Sequence, residues 1–390
     1  MRILLVGDYP RDARLGSTKV LLKLQEEFRA AGHTCDLLLG DDLGAWPRHR
    51  AARWALSPAL AFAAVRRAVR DHGRYDVVDA ASAEGLWLAV SRRLGALAGT
   101  AVIARSNGIE HVNYERMLAD ADAGLADKPW TRRIYYPVVR LAQVGAAVRA
   151  ADRAIVLNEH DRAFVLSRGW KSESEVDVVS HGVSSRFLDG PPADAPRGRG
   201  VLFCGSWDLV KGVPYLVDAF SRLVQRGVRI QPNGTPVALT IVGGGLPESR
   251  IRGAFPAAAQ PHVTIVDRAQ EEAVIAAYRA HDVLAFPSTY EGFGMVLMEA
   301  MSQRLPVVTT PVGCATTLVD PGRSGVIVAP RDPGALADAL EQLLVDPSRR
   351  ASLADEAFRR VRGMSWTATA QATLDVYRRT IAAGAALAHA

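Results

Sequence analysis

Pro287-Ser288-Thr289-Tyr290-Glu291-Gly292-Phe293-Gly294-Met295-Val296-Leu297-Met298-Glu299-Ala300-Met301 follows directly on the apolar run Val283 to Ala285. The order is a buried strand, a loop carrying two glycines, and a helix. In open α/β sheets ligands bind beyond the carboxyl ends of the strands, and a helix starting just past such a loop aims free backbone N–H groups at an anion. Gly292 and Gly294 let a diphosphate approach the backbone closely. Glu291 lies in the loop, and Glu299 little more than one turn into the helix. A carboxylate accepts two hydroxyl hydrogen bonds at once, so Glu299 suits a ribose diol and Glu291 a sugar hydroxyl. Taken singly, either acid also reads as a solvated surface residue.

Outward from this segment, short β-branched runs alternate with amphipathic helical stretches along the whole chain. That pattern predicts the α/β class, with parallel sheets covered by helices on both faces. A first series of strands runs Arg2 to Gly7, Thr34 to Leu39, Val77 to Ala80, Ala101 to Arg105, Ala154 to Leu157 and Val176 to Val179, with a first helix from about Ser17 to Ala31. Periodicity is lost between Gly190 and Gly200, where prolines and glycines gather and the linker is expected. A second series follows at Val201 to Cys204, Ala238 to Val242, Val263 to Val266, Val283 to Ala285, Val307 to Thr309 and Val326 to Val328. The expected organisation is a domain over 1–190, a second over 191–364, and an Ala-rich helix over 365–390 that docks back on the body.

Composition bounds the function. With 390 residues, 49% hydrophobic and 23% charged, the chain can build two cores and has no uninterrupted apolar run long enough to span a bilayer. Met1 leads into a first strand rather than a cleavable leader. Cys35, Cys204 and Cys314 form neither a disulfide framework nor a zinc spacing, so a reducing cytoplasm is expected. A net charge of +6 in a chain this long is no evidence for nucleic-acid binding.

Glu291 and Glu299, flanking Gly-Phe-Gly, resemble the E-x7-E motif of retaining glycosyltransferases of family 4, which have the two-domain GT-B fold. Pro287-Ser288, Glu299-Ala300-Met301, Pro306-Val307-Val308 and Asp320-Pro321-Gly322 with Gly325 fall in that family's order. The resemblance implies two Rossmann-like domains facing each other across a cleft. It also implies a UDP- or GDP-sugar as co-substrate, no cofactor and no metal, and a hydroxyl acceptor: glycan, glycolipid or small molecule, lipid-linked or soluble.

By the same resemblance the nucleotide-sugar set comprises Glu299, Gly16, Gly205, Ser206, Lys211, Arg268, Phe293, Gly294, Met295 and Val296. Glu291, Lys211, His111 and Asn107 form the catalytic set. Lys211-Gly212 matches the family's diphosphate clamp, whereas Ser206 stands where an arginine is usual. Gly16 opens the first helix at the family's glycine-rich turn. Asn107 holds the place of the family's sugar-contacting histidine, and either His111 or the Asn107 amide takes that role. His181-Gly182-Val183, Ser302-Gln303-Arg304 and Thr317 also depart from the family pattern. A nucleotide-sugar epimerase and a non-catalytic binding protein of the same fold are the alternatives.

Three further signals in the sequence are less specific. Val242-Gly243-Gly244-Gly245 reads as a close-packed turn before a helix, and Asp120-Ala121-Asp122 as solvated acids of a polar loop rather than a metal site. Arg48, Arg50, Arg53, Arg66, Arg67, Arg70 and Arg74 are interleaved with Trp46, Trp54 and Phe62. Lys128, Arg132, Arg133, Arg140 and Arg149 are interleaved with Trp130, Tyr135 and Tyr136. These stretches fit solvated helix faces or peripheral contact with the inner face of an anionic membrane.

Overall fold

The computed structural model describes every residue except 13–14, 45–48, 95–96, 128, 193–196, 268 and 389–390, so Trp46, Arg48, Lys128 and Arg268 lie outside the described residues. By its internal contacts the chain divides into one unit of Met1–Gly182 with Trp366–Ala390, and a second of Val183–Ser365. Residues 183–190 fall with the second unit because they are packed there. Phe187 lies 6.1 Å from the Tyr278 ring, and a side chain at Gly190 would meet Phe358 at 2.6 Å.

In the first unit β1 (Arg2–Val6), β2 (Thr34–Leu38), β3 (Val77–Ala81), β4 (Ala101–Arg105), β5 (Arg153–Val156) and β6 (Val176–Val178) form one sheet in the order β2-β1-β3-β4-β5-β6. Every pairing is parallel. β3 and β4 are buried at every position, as expected of strands covered on both faces. The helix Gly16–Ala30 packs through Val20, Leu21, Leu24 and Phe28, whose spacing makes one apolar stripe.

In the second unit β7 (Val201–Cys204), β8 (Arg229–Ile230), β9 (Thr235–Pro236), β10 (Leu239–Val242), β11 (Val263–Val266), β12 (Val283–Phe286), β13 (Val307–Thr309) and β14 (Val326–Ile327) follow in chain order. Six of them form a parallel sheet, β11-β10-β7-β12-β13-β14, while β8 and β9 make a small antiparallel pair that the sequence pattern does not announce. Strand order reverses beside β7 here and beside β1 in the first unit. The carboxyl ends of β7 and β12, and of β1 and β3, are therefore the places where ligand-binding crevices form.

The helix Trp366–Ala388 belongs to the first unit, where Tyr377 is fully buried 5.8 Å from the Phe28 ring. Its hydroxyl donates to Asp79 of β3, which also takes three contacts from Arg105 of β4 at 2.6 to 3.1 Å. No helix among the described residues is long and apolar enough to cross a membrane.

Two expectations are corrected. Asp120 and Asp122 end the helix Glu110–Asp122 instead of lying in a loop. Asp120 is buried and paired with Arg116 one turn earlier, so helical register rather than solvent satisfies it. Arg140, grouped above with a surface basic stretch, is 9% exposed and lies inside an ion-pair network.

Candidate functional site

Three loops of the second unit converge at the carboxyl edge of its sheet. The loop after β7 contains Gly205, Ser206 and Lys211, and ends at Gly212 in the left-handed conformation, φ 73°. A side chain at Gly212 would stand 1.9 Å from the Pro287 carbonyl, so only glycine lets this loop close on the loop after β12. The two are tied by the Thr289 N–H donating to the Val210 carbonyl at 2.8 Å. From β13 comes the third loop, whose Cys314 N–H donates to the Phe293 carbonyl at 2.6 Å. There the left-handed Gly313 avoids a 2.4 Å clash with the same oxygen.

This closure brings Lys211 to Glu291. The Lys211 ammonium donates to Glu291 Oε1 at 2.7 Å, and the Ser288 hydroxyl donates to the same oxygen at 2.7 Å. Gly294, left-handed at φ 90°, caps the helix Met295–Ser302, whose first N–H groups, those of Met295 and Val296, have no partner within the helix. Glu299 lies further along that helix, half-buried, with Tyr278 donating to its Oε2 at 3.2 Å. Tyr278 is fully buried, and both Glu299 and Cys204 hold its hydroxyl far from ionisation, after the larger effect of burial. The Phe293 ring is buried at 5% exposure, so what this residue offers the loop surface is backbone. Ser206 donates to Asp208 Oδ2 at 2.8 Å, and Asp208 in turn caps the Val210 N–H, which fixes the loop rather than supplying the absent guanidinium.

In the first unit Gly16 begins the helix after β1, with Thr18 donating back to the Pro10 carbonyl at 2.9 Å. Asn107, after β4, donates to the Tyr9 hydroxyl at 3.0 Å, while its carbonyl oxygen is buried with no partner among the described residues. His111 lies elsewhere. Its ring packs 4.9 Å from Trp170 and 5.8 Å from Phe164, and burial pushes its pKa down to about 4. Of the two candidates for a sugar contact, Asn107 is the one beside the β1 loop.

Sequence reasoning missed the network behind Asn107. Arg140 donates to Glu84 at 2.9 Å, to Ser57 at 3.0 Å and to Glu110 at 3.1 Å, and Tyr136 donates to Glu110 at 2.7 Å. Ser82, at φ 54°, holds a strained backbone to reach the same group. Asp8 is pushed up to about 6, chiefly by burial and then by Glu84, against the opposing Arg53 at 3.2 Å. Tyr278, Ser288 and Gly313 were also missed as site-builders, because a tyrosine on a helix or a serine in a loop carries no periodic signal. No group of three or more His, Cys, Asp or Glu side chains that could hold a metal occurs among the described residues.

Two parallel-sheet units with an E-x7-E loop and an adjacent lysine at a switch point define a GT-B glycosyltransferase, and comparison with known proteins supports this. The family model described as glycosyl transferases group 1 matches residues 198–346. The chain is 30% identical over 300 residues to a D-inositol 3-phosphate glycosyltransferase of Frankia alni, covering 73% of this chain and 72% of that protein. It is 32% identical to the enzyme of that name in Mycolicibacterium vanbaalenii, covering 82% of this chain and 71% of that one. Among solved structures, sucrose-phosphate synthase of Thermosynechococcus elongatus superimposes with a TM-score of 0.76 at 24% identity, over 98% of this chain and 99% of that one. Anabaena HepE, in complex with UDP and glucose, gives a TM-score of 0.69 at 17% identity, over 97% of this chain and 100% of that one. The chain belongs to glycosyltransferase family 4.

Proposed function

We propose that the protein transfers a sugar from a nucleoside-diphosphate sugar to a hydroxyl acceptor, with retention of anomeric configuration and without a metal ion. One observation carries this reading: a cation, Lys211, and a carboxylate, Glu291, meet at 2.7 Å beside the start of the helix that bears Glu299. Glu299 holds the ribose diol, and Tyr278 orients its carboxylate. Lys211 and the amides of Met295 and Val296 take the diphosphate, supplying positive charge where the leaving phosphate gains negative charge. Glu291 faces the sugar.

The acceptor belongs to the first unit, with Asn107 as its sugar-side contact. In the transfer the bond from the anomeric carbon to the phosphate oxygen breaks, and a bond to the acceptor oxygen forms on the same face. The acceptor proton passes to the departing phosphate. A uridine diphosphate sugar is the first donor to test, because HepE is seen with UDP and glucose. A phosphorylated polyol is the first acceptor, because D-inositol 3-phosphate glycosyltransferases are relatives. Peripheral contact of the basic first unit with a membrane is part of the same reading.

A panel of nucleotide sugars with and without acceptor, read by released nucleoside diphosphate and by the configuration of the product, tests this. Acceptor-dependent release with a retained product supports it. Conversion of donor without any acceptor would point to epimerisation instead.

A further inference from the structure

The helix Thr131–Leu141 is wound as a wide π-helix, and it exposes large apolar side chains where a surface helix should be polar. Ile134 and Val138 are 64% and 67% exposed, and Trp130, immediately before the helix, is 65% exposed. Their spacing of four residues sets them in one ridge. Arg133, next to Ile134 in sequence, is exposed beside that ridge, and Arg132 lies 5.0 Å over the Trp54 ring. Packed against this helix is Arg50–His72, whose sequence holds five arginines against the single Asp71, and which exposes Leu56, Arg66 and Arg67.

The same helix walls a cavity of about 500 Å3. Pro137, Leu141, Ala142, Gly145 and Trp170 give it an apolar lining, and Arg149 and Arg168 line it as well, their exposed guanidinium groups stacked 5.4 Å over the Trp170 ring and 5.0 Å over the Phe164 ring. A side chain at Gly145 would press to 3.0 Å on the Trp170 ring, so glycine there keeps the indole in place. His111 also lines the cavity, with its Nδ1 buried and without a hydrogen-bond partner among the described residues. Arg168 reaches Glu115 at 3.4 Å between two half-exposed side chains, a contact that a phosphodiester can replace.

We propose that this face of the first unit docks on an anionic phospholipid bilayer, the Trp130–Ile134–Val138 ridge entering the acyl boundary and the arginine-lined cavity receiving a headgroup phosphodiester. Aromatic and aliphatic side chains beside arginines are the chemistry that partitions into such an interface. A second copy of the chain fits less well, because a two-fold contact puts the same patch on both sides and would set two copies of one basic surface, with Arg66, Arg67 and Arg133 exposed, against each other. The inference rests on the reading of the first unit as a membrane contact and is independent of the transfer chemistry.

Sedimentation of the full chain with phosphatidylglycerol–phosphatidylcholine vesicles and with phosphatidylcholine vesicles, at low and high salt and without sugar nucleotide, tests it. Salt-sensitive binding to the anionic vesicles is expected. Trp130→Ser with Ile134→Ser, at exposed positions, should weaken it on the order of tenfold. Arg149→Gln with Arg168→Gln should remove the preference for phosphatidylglycerol while circular dichroism stays unchanged. Indifference of the native chain to lipid charge overturns the proposal, and so does full binding by the ridge variant. A dimer that the ridge variant converts to monomer, without vesicle binding by the native chain, would assign the ridge to self-association. Nucleoside diphosphate release, measured separately, reports on the transferase reading alone.

Discussion

The Lys211 ammonium and the Glu291 carboxylate form an ion pair at 2.7 Å, joining the loop after β7 to the loop after β12. Two residues eighty positions apart, assigned separately to diphosphate and sugar, thus form one electrostatic unit. Glu291 is 9% and Lys211 26% exposed at the side chain, so the pair is partly shielded from water and stronger than a surface contact. A diphosphate bound as proposed would give Lys211 a second anion to satisfy.

Lys211→Ala should lower kcat/KM by on the order of 10²-fold, a few kcal/mol of lost transition-state stabilisation. Glu291→Gln should also lower kcat while leaving nucleoside-diphosphate affinity unchanged or tighter, because Lys211 is no longer shared. Calorimetric titration of the two variants with nucleoside diphosphate separates these effects. Native turnover in both would remove the assignment.

Tyr278→Phe deletes the hydroxyl that donates to Glu299 at 3.2 Å and leaves the ring in its buried place. The loss of one hydrogen bond to a charged acceptor is worth about 1 to 3 kcal/mol at most. Since Tyr278 acts through Glu299, the donor KM should rise several-fold or more with kcat little changed. Steady-state kinetics with varied donor checks the split.

Gly212→Ala meets both a positive φ and a carbonyl 1.9 Å from the new methyl. The loop must then move away from Pro287, which separates Lys211 from Glu291. A destabilisation of about 2 kcal/mol or more is expected, with activity falling further than stability. Urea unfolding and kinetics on the same preparation compare the two.

Asp79→Ala leaves the Arg105 guanidinium buried and unpaired by a carboxylate, and strips the Tyr377 hydroxyl of its acceptor. Breaking such a pair from one side costs about 3 to 5 kcal/mol. Tyr377→Phe removes one neutral donor and should cost about 1 kcal/mol. Denaturant melts of the first unit, followed by fluorescence, should show that order. No cost for Tyr377→Phe would mean the helix Trp366–Ala388 is held by apolar packing alone.

His111 is pushed down to about 4 by burial among Trp170 and Phe164, with nearby arginines adding to the effect. Its ordinary value lies near 6.5, so between about pH 6.5 and pH 4 the unfolded chain binds more protons than the folded one. Stability from this residue is therefore complete above about pH 6.5 and is lost as pH falls through about 4. His111→Gln should flatten the dependence of the melting temperature on pH across that window, and an unchanged slope would refute the burial of the ring.

Much of the fold is legible in the amino-acid order, because parallel strands covered on both faces must be continuous apolar runs. Val201–Cys204, Val263–Val266 and Val307–Thr309 lie where those runs lie. The β8–β9 pair escapes because two-residue strands have no periodicity. Asp120-Ala121-Asp122 misleads because three residues cannot show whether a helix has already ended, and Arg140 because a charge in a basic stretch looks solvated until its acidic partners are known.

What the sequence by itself determined is the class and the local form of one segment: strand, Gly292, Gly294 and helix, with Glu291 and Glu299 in fixed relation along it. Local chemistry suffices there, since φ freedom and helix N–H groups are properties of neighbouring residues. Only the tertiary structure decided the partners: Lys211 with Glu291, Tyr278 with Glu299, Asn107 with Tyr9, and His111 with Trp170. Each joins residues on different strands, helices or loops. Their meeting depends on strand order and on which side chain each helix turns inward, quantities that depend on the packing of the whole sheet.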